Sequence, residues 1–210
     1  DPKQVDLSRR VMAAMFYEAS TRTRMSFESA MKRLNGKVVS MIGTAGTSVE
    51  KGETLADTAR VIARYSDIIV MRHPNEGAAR YVSEQVDVPV VNAGDGANQH
   101  PTQSLLDLYT IIKSQGTLEG LKLALIGDLK YGRTVHSLAY ALAPFKPEFV
   151  FVSPKSLQMP KHILTDLTRM GIPFKEKTKI EQTVNDVDIM YVTRIQRERF
   201  PDREEYEKVK

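Results

Sequence analysis

The sequence has 210 residues, enough for one large α/β domain or two small ones. Its net charge is +4 with acids and bases interspersed, it has no cysteine, and no stretch approaches the ~20 apolar residues of a membrane helix. Disulfides, thiol catalysis and thiolate metal sites are therefore excluded, and neither nucleic-acid binding nor membrane insertion is supported. Because no signal-peptide pattern precedes the first predicted strand, we expect a cytoplasmic protein.

Short β-like runs alternate with amphipathic helical patterns along the chain. Most of these runs are continuously apolar, which is typical of parallel sheets covered by helices on both faces. The predicted strands are residues 11–17, 37–42, 67–71, 89–92, 122–127, 148–152, 173–176 and 188–192. The predicted helices are residues 21–34, 54–65, 77–85, 101–114, 133–143, 161–170 and 180–185.

A polar linker with two glycines, residues 115–120, separates the first four strands from the last four. The alternation predicts an α/β protein of two small domains, each a mainly parallel sheet flanked by helices, with right-handed crossovers. We place the first domain at residues 1–116 and the second at residues 121–210. The chain begins without a methionine and ends in a mostly charged stretch, so we expect both ends to be cut and the second domain to be incomplete.

The most informative stretch is Ser20-Thr21-Arg22-Thr23-Arg24, directly after the first predicted strand. It opens a predicted helix, where free backbone N–H groups and the helix dipole favour an anion. The guanidinium of Arg22 adds a planar fork of donors suited to phosphate. The pattern therefore indicates a phosphate site, and the alternative is an N-cap serine followed by two surface arginines.

Further polar residues follow the other predicted strands, where ligands bind in open α/β sheets. We expect them to converge on one crevice between the two sheets, rich in cations and neutral donors and poor in carboxylates. Such a site stabilises negative charge developing on oxygen and suits transfer from a phosphorylated donor. The residues are Arg72-His73-Pro74, Gly94-Asp95-Gly96, His100-Pro101-Thr102-Gln103, Asp128 to Arg133, Arg194 and Gln196.

Each of these residues also has a simpler interpretation. His100 before Pro101 is compatible with a helix cap, and Arg72 or Arg194 with a surface charge at a strand end. Lys51 is compatible with a mobile loop lysine preceding Thr54, which is a candidate N-cap. Among the four histidines, His100 is the best candidate for an electrophile or proton handler because it follows the fourth strand near the arginines.

Several familiar sites are disfavoured by the sequence. The segment from Gly127 to Gly132 lacks the G-x-G-x-x-G spacing, and no acidic residue closes the next predicted strand, so nicotinamide binding is disfavoured. There is no H-E-x-x-H, Walker A or G-x-S-x-G pattern, and the spacing of the histidines predicts no metal cluster. We therefore expect no metal and no cofactor.

In order along the chain, these motifs resemble those of the transcarbamoylase family, and the resemblance covers residues 11–200. The resemblance is specific because the motifs occur in the order found in the family, although each motif alone is weak evidence for it. The motifs are Ser20-Thr21-Arg22-Thr23-Arg24, Lys51-Gly52-Glu53-Thr54, Arg72-His73-Pro74, Gly94-Asp95-Gly96, His100-Pro101-Thr102-Gln103 and Gly127-Asp128-Leu129-Lys130-Tyr131-Gly132-Arg133.

The resemblance implies transfer of the carbamoyl group of carbamoyl phosphate to an amine. The aspartate branch would form N-carbamoyl-L-aspartate and phosphate, the committed step of pyrimidine synthesis. The ornithine branch is the nearest rival. Aspartate brings two carboxylates and requires cations, which Arg133 and Arg194 with Gln196 supply, whereas ornithine would require an acid.

The resemblance also implies a role for each matching residue. Ser20, Thr21, Arg22 and Thr23 would cradle the phosphate, and Gln103 would hold the carbamoyl amide. Arg72, His100 and Thr23 would polarise the carbonyl, with His100 as hydrogen-bond donor rather than general base. Arg133, Arg194 and Gln196 would bind aspartate. Lys51 would reach into a neighbouring subunit's site, joined there by Thr47 or Ser48.

Members of this family form homotrimers with shared active sites, and some join regulatory subunits or larger pyrimidine-pathway assemblies. The family continues beyond Gln196 with a His-Pro-Leu-Pro-Arg-like loop and a terminal helix that these 210 residues do not include. A non-catalytic binding or assembly module that keeps phosphate affinity is therefore the alternative to an active transferase.

Overall fold

The computed structural model describes residues 5–96, 98–180, 183 and 185–194. Contacts between residues divide the chain into two compact units, Asp1–Thr102 and Gln103–Lys210. The predicted boundary within residues 115–120 stays a prediction. No helix in the described ranges is long and apolar enough to cross a bilayer.

The first unit is a parallel four-stranded sheet with the strand order β2-β1-β3-β4. The strands are β1 (Val11–Phe16), β2 (Lys37–Ile42), β3 (Ile68–His73) and β4 (Val90–Asp95). The helices are α1 (Thr21–Arg33), α2 (Leu55–Ala63) and α3 (Ala78–Ser83), and a 3-10 turn covers Ser48–Lys51.

The two central strands, β1 and β3, bury side chains on both faces of the sheet, whereas the edge strand β2 has no buried residue. Met15 and Ile69 pack with Val82 of α3 in one apolar cluster. Phe16 and neighbouring residues pack with Met31 of α1 in another. The continuous apolar runs of the sequence therefore bury side chains on both faces of the sheet, as predicted.

The second unit is also a parallel four-stranded sheet, with the strand order β7-β6-β5-β8. The strands are β5 (Lys122–Ile126), β6 (Glu148–Val152), β7 (Phe174–Lys177) and β8 (Ile189–Val192). The helices are α4 (Pro101–Gln115), α5 (Arg133–Leu142) and α6 (Lys161–Arg169), with 3-10 turns at Ala143–Phe145 and Lys155–Leu157.

The core of the second unit lies between its sheet and its helices. Phe149 and Phe151 of β6 stack with ring centroids 5.6 Å apart. Leu138 of α5 and Ile111 of α4 join the same apolar cluster. Because Ile111 packs there, most of α4 belongs to the second unit although its first turn follows directly from the first.

The predicted fold class is confirmed, and the errors concern the ends of elements. The third strand continues to His73 and the fourth to Asp95, so Arg72 and Asp95 lie inside strands rather than after them. The reason is pairing between the two strands, since His73 is in register with Asp95 beyond a local irregularity. Of the helix predicted at residues 180–185, residues 181, 182 and 184 lie outside the described residues.

Candidate active site

The first candidate group lies where β1 leads into α1. Ser20 occupies the N-cap position with extended backbone, but its side chain makes no capping hydrogen bond. The first turn of this 13-residue helix contains no acidic residue. Thr21 and Arg22 are exposed and Thr23 is partly buried. Uncapped N–H groups, hydroxyls and a guanidinium therefore share one helix start, which is an arrangement that binds an anion.

Arg72 lies near the carboxyl end of β3, in register with Phe16 at the end of β1. Its residue surface is 8% exposed, and its Nη2 donates to Glu18 Oε1 at 2.9 Å. Its Nε is buried and has no hydrogen-bond partner among the described residues. A buried guanidinium with an unused donor is suited to bind an oxygen that gains negative charge.

Asp95 organises the loop that follows β4. It is 2% exposed and accepts hydrogen bonds from Gly77 N at 2.8 Å, Asn92 Nδ2 at 2.9 Å, Asn98 Nδ2 at 3.0 Å and Gln99 N at 3.2 Å. Burial acts to raise the pKa of Asp95, but these hydrogen bonds outweigh it and lower the pKa. The loop is thus fastened to a buried anionic carboxylate.

His100 lies at the end of that loop, just before α4. The turn needs glycine at position 96, where φ is +53° and a Cβ would lie 2.6 Å from the Pro74 carbonyl oxygen. His100 is partly buried, and its Nδ1 lies 3.4 Å from Thr102 Oγ1. Pro101 occupies the start of the helix. Tertiary contacts therefore fix the path of the loop that leads to His100.

Lys51 is exposed and ends the 3-10 turn before Gly52, whose φ is +91°. Thr47 donates to the Thr44 carbonyl at 2.6 Å, whereas Ser48 is exposed at the start of the turn. Thr54 caps α2 by accepting from Asp57 N at 3.2 Å, which confirms that part of the simpler interpretation. Lys51 itself lies at the surface of the first unit.

In the second unit, Arg133 begins α5 and is buried, at 7% exposure. The loop before it is ordered by Asp128, whose Oδ1 accepts from Lys130 N at 3.1 Å and Tyr131 N at 2.9 Å. Asp128 N in turn donates to Thr193 Oγ1 at 2.8 Å. The loop carrying Arg133 is therefore tied to the segment that follows β8.

Arg194 is the next residue after Thr193 and is exposed. Thr193 also donates to the Ile126 carbonyl at 3.1 Å, so the ends of β5 and β8 are joined. Position 127, directly after β5, requires glycine because its φ is +109° and a Cβ there would lie 2.6 Å from Thr193 Oγ1. Gln196 lies outside the described residues.

Gln103 lies in the first turn of α4, and its Nε2 donates to Asp107 Oδ1 at 2.9 Å. Asp107 and Glu18 are not among the residues predicted from the sequence, and Asp95 is predicted only as part of Gly94-Asp95-Gly96. Asp107 had a local signal, since it follows Gln103 by four residues and faces the same side of the helix. The contacts of Glu18 with Arg72 and of Asp95 with Gly77 join distant parts of the chain, so only the three-dimensional structure identifies them.

The described residues include no group of three or more histidine, aspartate or glutamate side chains that could hold a metal ion. Within the first unit, the structure brings the start of α1 and Arg72 to the carboxyl ends of neighbouring strands. Within the second, it brings the start of α5 and the segment after β8 together. Both arrangements present mainly cations, hydroxyls and backbone N–H groups.

Two family models match the chain. Residues 1–113 match the carbamoyl-P binding domain of aspartate/ornithine carbamoyltransferases, and residues 119–210 match their Asp/Orn binding domain. The aspartate carbamoyltransferase catalytic subunit of Methanocaldococcus jannaschii is 60% identical over 205 residues, which are 97% of this chain and 67% of that protein. The subunit of Methanosphaera stadtmanae is 60% identical over 96% of this chain and 66% of its own length. The chain thus spans about two thirds of the length of these relatives.

Solved structures of similar proteins show the same fold. The catalytic subunit of M. jannaschii aspartate transcarbamoylase superposes with a TM-score of 0.86 at 57% identity, over 99% of this chain and 69% of that one. Aspartate transcarbamoylase from Trypanosoma cruzi, in complex with carbamoyl phosphate and aspartate, superposes with a TM-score of 0.84 at 42% identity. That match covers 94% of this chain and 64% of the other.

Proposed function

The chain belongs to the aspartate/ornithine carbamoyltransferase family, and from that membership we propose that its protein is an aspartate carbamoyltransferase. It would transfer the carbamoyl group of carbamoyl phosphate to the α-amine of L-aspartate, giving N-carbamoyl-L-aspartate and phosphate. The observation that carries the proposal is the uncapped start of α1, with no acidic residue in its first turn, together with the buried Arg72, whose Nε has no partner among the described residues. The catalytic subunits that resemble the chain support it.

The phosphate of the donor would bind at the start of α1. Ser20, Thr21 and Thr23 offer hydroxyls, Arg22 offers paired donors, and the backbone N–H groups of the first turn add a favourable dipole. No carboxylate in that turn opposes the anion. Binding would fix the reactive carbonyl relative to the protein.

The carbonyl carbon would then be attacked by the α-amine of aspartate. The carbonyl oxygen becomes anionic in the tetrahedral species, and Arg72, His100 and Thr23 would stabilise it by hydrogen bonds, as in an oxyanion hole. Loss of one such donor typically costs ~2.7–4 kcal/mol of barrier. When the C–O bond to phosphate breaks, the departing phosphate can accept the proton that the amine releases.

The second unit supports aspartate rather than ornithine as the acceptor. Arg133 at the start of α5 and Arg194 after β8 belong to segments that Thr193 joins. Two guanidiniums suit the two carboxylates of aspartate, and they would repel the terminal amine of ornithine. Gln196 is proposed as a further aspartate ligand on the basis of the family resemblance.

We also propose that the protein is a cytoplasmic homotrimer in which Lys51 acts in a neighbouring subunit's site. Lys51 is exposed at the end of a turn, so the first unit does not bury its side chain. Between the two hydroxyls left open by the sequence, Ser48 is the more exposed, and Thr47 is bonded within its own loop. A regulatory subunit or a larger pyrimidine-pathway assembly is compatible with this proposal.

The test is to supply the full-length protein with carbamoyl phosphate and either L-aspartate or L-ornithine, and to measure the carbamoylated product. We expect carbamoyl-aspartate and no citrulline. Citrulline formation would overturn the assignment of Arg133 and Arg194. Carbamoyl phosphate binding without turnover on either acceptor would instead indicate a non-catalytic module.

A further inference from the structure

The side-chain amide of Gln103 is held in one orientation by its neighbour on α4. Its Nε2 donates to Asp107 Oδ1 at 2.9 Å, across one helical turn. An ionised carboxylate can only accept hydrogen bonds, so the NH2 end of the amide must face Asp107. The Oε1 end of the same planar group then faces away from Asp107, and it can act only as an acceptor.

Asp107 is itself confined by neighbouring elements. Burial raises its pKa, and hydrogen bonding from Gln103 and from Tyr191 of β8 opposes that shift. Its Oδ2 is buried and has no partner at ordinary hydrogen-bond distance among the described residues, so the contact with Tyr191 is the longer and weaker one. Among the described residues, Gln103 is therefore the close hydrogen-bond partner of the carboxylate, through Oδ1.

Tyr191 interacts with the carboxylate from the side of the sheet. The pKa of Tyr191 is raised to about 12: burial is the largest cause, hydrogen bonding with Thr134 of α5 opposes the rise, and the charge of Asp107 adds to it. The carboxylate thus interacts with Gln103 on its own helix and with Tyr191 of β8.

We propose that Asp107 is a positioning residue that gives the site its preference for a carbamoyl group, by holding Gln103 with Oε1 towards the donor substrate. The proposal rests on the proposed function, in which Gln103 meets the carbamoyl amide. An acceptor at that point matches the NH2 group of carbamoyl phosphate. It gains nothing from the methyl group of acetyl phosphate, and it opposes the oxygen of a carboxyl group.

Without the carboxylate, the two orientations of the Gln103 amide become similar in free energy. The NH2 end would then face the substrate for part of the time, and it would meet the carbamoyl NH2 donor to donor. One hydrogen bond of this kind corresponds to a roughly tenfold difference between the dissociation constants of carbamoyl phosphate and acetyl phosphate. The predicted defect is therefore in selectivity, with the fold and the phosphate contacts retained.

The experiment uses the full-length protein and its Asp107→Leu and Asp107→Asn variants. Competition binding gives dissociation constants for carbamoyl phosphate, acetyl phosphate and inorganic phosphate, and steady-state kinetics with saturating aspartate separate KM from kcat. We expect Asp107→Leu to lower the preference for carbamoyl over acetyl phosphate about tenfold, mainly by raising KM for carbamoyl phosphate. Asp107→Asn keeps an acceptor and should restore part of the preference. Affinity for inorganic phosphate should change less than about twofold, because the phosphate contacts lie elsewhere.

The matched control is Asp166→Leu. Asp166 of α6 accepts from Tyr140 at 2.8 Å, and the pKa of Tyr140, raised mainly by burial, is also about 12. It is thus an aspartate–tyrosine pair in the same unit without a glutamine. Its loss should lower the melting temperature and leave the preference between the two phosphates unchanged.

Each outcome decides the proposal. An unchanged carbamoyl preference in Asp107→Leu, or an equal loss in Asp166→Leu, would overturn it while the transferase assignment stands. If Asp107→Leu does not fold, Asp107→Asn decides: a preference lower than that of the wild type supports the proposal, and an unchanged preference overturns it. A wild-type protein that forms no carbamoyl-aspartate would instead refute the proposed function.

Discussion

At the scale of single residues, buried or partly buried carboxylates hold the segments that carry the proposed ligand-binding groups, which are cations and neutral donors. Asp95 holds the loop before His100, and Asp128 holds the loop before Arg133. Asp107 holds the amide of Gln103. Each carboxylate accepts at least one hydrogen bond from a protein donor, and in this way it orders a loop or a side chain.

Asp95→Asn should destabilise the first unit in a way that depends on pH. The pKa of Asp95 is lowered below its ordinary value of 3.8, so the stability it contributes is present above that value and is lost as pH falls through the lower folded pKa. We expect a cost of about 2 kcal/mol near neutral pH, shrinking in acid. Urea unfolding of the wild type and the variant between neutral and acidic pH measures this difference.

The control for that measurement is Asp87→Asn, because Asp87 is exposed. Its substitution should change stability little at any pH. A cost for Asp95→Asn that stays constant into strong acid would show that shape, rather than the charge of Asp95, holds the loop.

At the scale of elements, two helices of the first unit begin with a hydroxyl residue, but in different ways. Thr54 caps α2 by accepting from Asp57 N. Ser20 stands at the N-cap position of α1 and makes no such bond. The first hydroxyl is used within the helix, and the second remains available for a ligand at the helix start.

The two substitutions Thr54→Ala and Ser20→Ala should therefore separate stability from binding. Thr54→Ala should cost about 1 kcal/mol of unfolding free energy and leave the affinity for carbamoyl phosphate unchanged. Ser20→Ala should have the opposite effect: little loss of stability and several-fold weaker binding. Thermal unfolding and isothermal titration with carbamoyl phosphate give both quantities, and a capping loss from Ser20→Ala would argue against its role as a ligand.

At the scale of the whole molecule, the proposed shared site is a statement about more than one chain. Arg72 is buried at a strand end, whereas Lys51 is exposed on a turn of the same unit. If Lys51 acts in a neighbouring subunit, a defect in one chain can be complemented by a second chain with a different defect.

Mixed trimers of Arg72→Ala and Lys51→Ala chains test this arrangement. Each variant alone should lose roughly 10²–10³ in kcat because a stabilising cation is absent. In a 1:1 mixture, about a quarter of the sites would combine an intact Arg72 with an intact Lys51 from its neighbour. Activity should reappear when the chains are dissociated and reassembled together, and trimers of verified mixed composition that stay inactive would contradict sharing.

The sequence alone determined the fold class, the order of the strands and helices along the chain, and the grouping of hydroxyls and arginines at the start of α1. These features depend on local periodicity, on turn residues and on motifs a few residues long, which are readable without knowing which distant segments meet. It also gave the candidate residues from Ser20 to Arg194, although it placed Arg72 and Asp95 after strands that in fact contain them.

Only the tertiary structure decided how those residues are held. The partners of Asp95 include Gly77, Gly127 is required by its approach to Thr193, and the carboxylate beside Gln103 interacts with Tyr191. Each contact joins residues that the chain separates by 18 or more positions. Their proximity results from pairing and packing of whole elements, whose free energy is summed over many side chains and is not encoded in any one local pattern.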